Sequence, residues 1–150
     1  MTVTLHPVDL GAWEADAPSR SDLARIYADA PKERLPLPVD DFIREHLLAG
    51  HFFFTARFND RLLAAVAVRD DRSVWWLSHF CVRKTSRRRG VGSRLLALIS
   101  HAAIIEGRRI CAPASQLLLA DQLLLSRLGY RLIPAGDYFE LNLTAQGTPK

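Results

Sequence analysis

Between Arg83 and Leu96 the chain reads RKTSRRRGVGSRLL, and five of the first seven residues are basic. An apolar helical pattern begins directly behind the two glycines. A helix N-terminus is electropositive already, so arginines gathered there are unfavourable unless an anion is to be held. Gly90 and Gly92 let the backbone turn tightly and approach a ligand without a Cβ in the way. The first amides of the helix, from about Gly90 through Val91 and Gly92 to Arg94, have no intrahelical partners and form a nest for an anion. Ser93 adds a hydroxyl, and Arg87, Arg88 and Arg89 add planar forks suited to phosphate. The implied chemistry is capture of a phosphate-bearing ligand.

The other residues capable of chemistry are sparse. A P-loop needs Gly-Lys-Ser/Thr, which is absent, and GVGSRL lacks the third glycine of the dinucleotide fingerprint and an acidic residue at ribose distance. His6, His46, His51 and His101 show no metal-ligand spacing. His79 sits in a strand-like run, where it serves equally as a base or as a core histidine. Cys81 and Cys111 lie in apolar segments and read as buried reduced thiols in a cytoplasmic protein. The formal net charge of +4 over 150 residues is modest and concentrated in one segment. That pattern disfavours nucleic acid, which usually meets a wide basic face with interleaved aromatics. The N-terminus shows no signal-peptide pattern, and the longest apolar run, Leu62 to Val68, is too short to span a bilayer, so no membrane association is expected.

The elements that would position the basic turn follow from periodicity and breakers. Strands are expected over Thr2–Val8, His51–Phe58, Arg61–Val68, Ser73–Val82, Arg109–Ala112, Tyr130–Ile133 and Tyr138–Leu143, with turns at Asn59-Asp60, Asp70-Asp71 and Ala135-Gly136. Helices are expected over Ser19–Ala30, capped by Ser21 or Asp22, from Asp40 or Asp41 to Leu48, over Val91–Ile105 with an inward stripe of Val91, Leu95, Leu98, Ala102 and Ile105, and over Gln116–Leu128 with its leucines in the core. PKERLPLP, Pro31 to Pro38, is a loop. The reading is a single α/β (α+β) domain over 1–143 with a mostly antiparallel sheet, one right-handed crossover through Val91–Ile105, and a frayed tail over 144–150.

R-x-x-G-x-G at Arg87 to Gly92, with a strand before it, an amphipathic helix after it and LSRLGY near the C-terminus, resembles the pyrophosphate loop of the GNAT superfamily of acetyl-CoA-binding N-acetyltransferases. The element order is similar over nearly the whole chain. The resemblance implies that acetyl-CoA or CoA is the ligand. Backbone groups of Phe80, Cys81 and Val82 would meet the pantetheine arm, and the diphosphate would lie on Arg89 to Ser93, with Ser86 and the arginines around it. In many members a tyrosine four residues before the glycine that ends the last helix protonates the leaving thiolate. Here the glycine is Gly129 and the position holds Leu125, which has no proton to give. Tyr130 follows the glycine, where an aromatic packing residue is usual. The resemblance therefore implies binding without an assigned catalytic residue. A working N-acetyltransferase, with His79 or a relayed water as base, is the second reading.

Two longer blocks, ARFNDRLLAAVAV (Ala56 to Val68) and VRKTSRRRGVGSRLL (Val82 to Leu96), resemble the PanZ (PanM) family of GNAT-fold proteins. That family binds the aspartate α-decarboxylase zymogen, PanD, in response to acetyl-CoA or CoA. It promotes self-cleavage to the pyruvoyl form and can restrain the mature enzyme, which supplies β-alanine for pantothenate and CoA. The arginine and asparagine of RFN, which contribute to the partner surface, fall on Arg57 and Asn59. The chain departs from the family in carrying alanine at Ala67 for a basic residue, Ser86 for threonine, and a longer N-terminal half.

Overall fold

Runs of apolar and β-branched residues pair into one mixed sheet with the strand order β1-β2-β3-β4-β5-β7-β6. The computed structural model describes residues 2–141. The strands are β1 (Thr4–Val8), β2 (Phe52–Phe58), β3 (Arg61–Asp71), β4 (Val74–Val82), β5 (Arg109–Pro113), β6 (Arg131–Ile133) and β7 (Tyr138–Leu141). The helices are α1 (Leu10–Ala15), α2 (Ala17–Ala28), α3 (Val39–Leu48), α4 (Val91–Glu106) and α5 (Leu119–Arg127). Every neighbouring pair is antiparallel except β4 with β5, which α4 connects. The expected α/β architecture, mostly antiparallel with one parallel crossover, is what the chain adopts. The tail over 144–150 and the end of the last expected strand lie outside the described residues.

Side chains alternate across the sheet and feed two cores. Ala64, Val66 and Val68 of β3 join Leu95, Ile99 and Ala103 of α4 on one face. Ala65 and Ala67 join Leu23 and Ile26 of α2 and Ile43 and Leu47 of α3 on the other. Fully burying a side chain such as Leu95 or Ile26 contributes roughly 1.5–3 kcal/mol. The small alanines of β3 let helices approach both faces of its central stretch.

Several expectations are corrected. Asp70 and Asp71 continue β3, and the chain turns instead at Arg72 and Ser73, with Arg72 at φ 56°. Asp9 caps a helix that the periodicity did not show, its carboxylate accepting from the Ala12 amide at 2.8 Å. Helix α2 starts at Ala17, so neither Ser21 nor Asp22 is its cap; Asp22 is a buried mid-helix carboxylate. Helix α3 starts at Val39 behind Pro38, with Asp40 and Asp41 inside its first turn, where acidic residues suit the dipole. The proline loop holds a 3-10 turn at Lys32–Arg34. On α4 the buried stripe is Val91, Leu95, Leu96, Ile99 and Ala103, whereas Ile105 is 73% exposed. The leucines before Gly129 are not all core: Leu117 and Leu125 are buried, but Leu119 and Leu123 are 72% and 58% exposed.

Two irregularities of β4 open the sheet at one end. Its register with β3 slips, because Ala65 pairs with Cys81 while Ala67 pairs with Ser78. The bulge leaves His79 at φ 53°, an uncommon conformation for a residue with a Cβ. In addition, β5 pairs with β4 only along Val74, Trp75 and Trp76. From Leu77 onward the β5-side edge of β4 has no strand beside it among the described residues, and a gap forms between the two strands.

Candidate functional site: a cleft beneath an arginine-rich helix start

The opening is a cleft of about 340 Å³ between the free half of β4, the segment after α2, and the approach to α5. His79, Phe80, Cys81 and Val82 form one wall, and Leu118 and Asp121 form another. Asp29 and Arg34 close the side toward the proline loop, and Arg87 stands at the helix end.

At that end the backbone turns through Arg88 at φ 65° and Gly90 at φ 78° before α4 begins. Gly90 is the N-cap, with no side chain capping the helix. Its carbonyl accepts the Arg94 amide at 3.0 Å. The amides from Arg88 to Ser93 donate to no other described residue. A Cβ on Gly90 would meet nothing within 4 Å, so the space above the nest is open. Gly92 has the opposite role: a Cβ there would lie 2.7 Å from Phe80 Cζ and 3.2 Å from Val82 Cγ2. Only glycine lets α4 seat this closely on β4.

The arginines divide by role. Arg88 and Arg89 are exposed and pair with no described carboxylate. Arg87 is already engaged: its Nε donates to Val82 O at 3.1 Å and its Nη2 to Asp29 O at 3.0 Å. Asp29 also accepts the Lys84 amide at 2.8 Å. Asp29 and Arg87 therefore clamp the end of α2 to the loop that precedes α4. Ser86 is buried under this loop, its amide donating to Arg83 O at 2.8 Å. Val91 is buried, Gly92 half-buried and Ser93 exposed at the helix start.

Titratable groups on the walls are tuned by burial. Cys81 donates from Sγ to Ile26 O at 3.2 Å, and burial pushes its thiol up to about 11, so it is no nucleophile. Burial, and secondarily Arg34, push His79 down, which keeps the imidazole neutral near pH 7. Its Nδ1 meets Ser78 Oγ at 3.0 Å, and its carbonyl accepts from Tyr27 Oη at 2.7 Å. Asp121 is pushed up by burial, against the Leu118 amide and the charges of Arg34 and Arg87. Leu125 lines a small apolar notch next to the cleft. Tyr130 is buried in the core and lines neither space. Among the described residues no cluster of histidine, cysteine and acidic side chains could hold a metal. No helix among them is long and apolar enough to cross a membrane.

Arg57 and Asn59 belong to a second surface. The pairing of Ala64 with Val82 carries the β2–β3 hairpin past the end of β4, so its tip stands at the same end of the sheet as the arginine turn. Asn59 and Asp60 have φ of 49° and 62°, the left-handed pair of a tight hairpin turn. Arg57 Nη2 meets Asp60 Oδ1 at 3.0 Å. Arg57 is not on a sheet edge, since β1 pairs there through Thr4.

Sequence reasoning named the glycine turn and the β4 segment that stand at this cleft but did not name Asp29, Arg34 and Asp121 on the facing walls. Asp121 had a local signal, lying in the first turn of α5 and one turn before Leu125. Asp29 and Arg34 had none, because the packing of α2 on β4 brings them in.

The chain spans about half the length of the curated relative it matches, the PanD regulatory factor of Escherichia coli (strain K12), being 40% identical over 77 residues that make up 51% of this chain and 53% of that protein. An aminoglycoside 6'-acetyltransferase type Ii has a similar structure, with a TM-score of 0.69, 15% identity and coverage of 98% of this chain and 99% of that one. So does the putative N-acetyl transferase YhhK from E. coli bound to coenzyme A, with a TM-score of 0.64, 24% identity and coverage of 95% of this chain and all (100%) of that one. At these identities the structural likeness establishes the GNAT fold. The family model described as "Acetyltransferase (GNAT) domain, PanZ" matches residues 14–107, which takes in the hairpin, the free edge of β4 and the arginine turn. The chain belongs to the PanZ family of GNAT domains.

Proposed function

We propose that this chain is a regulatory protein that binds acetyl-CoA or CoA and, so loaded, docks on the aspartate α-decarboxylase zymogen, PanD. There it promotes self-cleavage to the pyruvoyl form and restrains the mature enzyme. The carrying observation is the run of amides from Arg88 to Ser93, which donate to no other described residue, together with Arg88 and Arg89, which pair with no described carboxylate, at the head of a β4 edge with no described strand beside it. A diphosphate on that nest puts the pantetheine arm along Val82, Cys81 and Phe80, in the manner of an added strand. Ser86 and Arg87 shape the turn from below, and Val91, Gly92 and Ser93 supply its upper amides. The relative named PanD regulatory factor and the family match support the partner. Arg57 and Asn59, on the hairpin at the same end of the sheet, are assigned here to the docking surface.

Regulation then works by linkage: a nucleotide that favours the PanD-competent state must in turn be held more tightly by the complex. The protein needs no acid of its own, which suits Leu125. A second reading, N-acetyl transfer to an amine, is favoured by one observation, the neutral His79 imidazole on the cleft wall. Incubating uncleaved PanD with this protein, with and without acetyl-CoA, separates the two. The regulator gives cleavage that depends on nucleotide and releases no thiol from acetyl-CoA with an amine panel. Steady thiol release with no effect on PanD establishes the transferase instead.

A further inference from the structure

The cleft continues into a notch of about 10 Å³, room for one methyl-sized group. Its walls include Val66, Leu77, Leu96, Ala112 and Leu125, all apolar. Among the described residues only Phe80 and Asp121 line both spaces, and Asp121 is the only ionisable group on the notch. The hydroxyl of Ser78, the other polar side chain there, is already met by His79 Nδ1 at 3.0 Å. Asp121 lies one helical turn before Leu125, on the same face of α5, and forms an ion pair with no described residue.

An arm held at the arginine turn and running back along Val82, Cys81 and Phe80 brings its end to Ser78, at the mouth of this notch. An acetyl thioester arriving there presents a methyl group, which the dry notch accepts, and a carbonyl oxygen, which can only accept a hydrogen bond. We propose that Asp121 reads the acyl end of the nucleotide: its carboxyl group, standing at the rim of the notch, donates a hydrogen bond to the thioester carbonyl, so that acetyl-CoA is held in preference to free CoA. This rests on the nucleotide-binding reading above.

Donation requires the acid form. Burial favours it, while the Leu118 amide, Arg34 and Arg87 oppose it. Tyr27, Asp29, His79 and Cys81 are the other titratable groups among the described residues that face the same cleft. Binding of the acetyl form therefore takes up a proton, and the preference for acetyl-CoA grows as pH falls. Phosphate ionisation affects both nucleotides alike and cancels in their ratio. A neutral hydrogen bond with net worth of about 0.5–1.5 kcal/mol corresponds to a preference of roughly two- to tenfold.

The test is calorimetric titration with CoA and with acetyl-CoA between pH 5.5 and 8, as the affinity ratio within each protein. Wild type should prefer acetyl-CoA increasingly toward low pH. Asp121→Asn, whose amide donates at any pH, should keep a preference that no longer changes with pH. Asp121→Leu should bring the ratio to one. A wild-type ratio of one throughout, or an Asp121→Asn ratio that still follows pH as wild type does, overturns the inference and leaves nucleotide binding standing. Failure of wild type to bind either nucleotide removes the binding reading and this inference together.

Discussion

The carboxylate of Asp22, its side chain only 4% exposed, accepts Arg61 Nε at 3.1 Å and Arg61 Nη2 at 3.0 Å across the gap between α2 and the start of β3. The same carboxylate takes the Leu62 amide at 3.1 Å and Arg25 Nη1 at 3.2 Å. Burial alone would raise its pKa, but the bonds from Arg61 and Leu62 outweigh it, and Asp22 is held below the usual carboxylate value. It fastens the hairpin that carries Arg57 and Asn59 to the helix whose far end is clamped to the arginine turn.

Replacing Asp22 with alanine strands the buried Leu62 amide and frees two guanidinium groups. The expected loss is about 1–3 kcal/mol, read as a lower urea midpoint with an unchanged slope. Because the folded-state pKa is depressed, this contribution is complete above the ordinary carboxylate pKa of 3.8 and is lost as pH falls through the folded value. The stability gap between wild type and Asp22→Ala should therefore narrow as pH falls through that value, leaving the part due to the stranded Leu62 amide.

The two glycines of the turn should fail differently. Gly90→Glu pays only the cost of a left-handed residue, roughly 1–2 kcal/mol, because open space surrounds its Cβ. It should stay folded and lose CoA binding, since it sets a carboxylate over the nest. Gly92→Ala forces Phe80 and Val82 aside and should destabilise by about 1–3 kcal/mol. Thermal melting and a CoA titration of both variants check the contrast; a folded Gly90→Glu protein that binds CoA normally would show that the nest is not the anion site.

His46 should make the protein acid-sensitive. Its Nε2 donates to Phe52 O at 2.7 Å, and burial lowers its pKa from 6.5 to about 4. Above pH 6.5 the ring is neutral in both folded and unfolded chains, so its contribution is complete. Between pH 6.5 and 4 the unfolded chain takes up a proton that the folded one refuses, and stability falls by about 1–3 kcal/mol. Urea titrations at pH 7.5 and 4.5 should show that fall, and His46→Gln should reduce it.

Asn59 separates turn geometry from recognition. Asn59→Gly keeps a left-handed turn and removes only the side chain. This variant should fold and bind CoA as wild type does, while its complex with PanD weakens about tenfold, or roughly 1.4 kcal/mol. Loss of CoA binding with an intact PanD complex would exchange the roles assigned to the two surfaces.

Arg87 should behave unlike its neighbours. Arg88→Ala and Arg89→Ala remove charges that pair with no described carboxylate and should weaken CoA binding with little change in melting temperature. Arg87→Ala also breaks the bonds to Val82 O and Asp29 O and should lower the melting temperature as well. Equal effects of all three on melting would contradict the division.

Local chemistry wrote much of this protein into its sequence. The arginine turn, the two glycines, the helix behind them and the order of strands were legible because each depends on residues within a few positions of one another. The place of Leu125 in the last helix was legible too, since the leucine pattern and Gly129 stand within a few positions of it. The facing walls were decided by tertiary structure. Asp29 meets Lys84 and Arg87, and Asp22 meets Arg61, across 39 to 58 residues of chain. No periodicity reports such a pairing. The bulge at His79 and the parting of β4 from β5 after Trp76 likewise arise from how strands fit their neighbours. The exposed Leu119 and Leu123 teach the same lesson, because apolar residues are buried only where another element covers them.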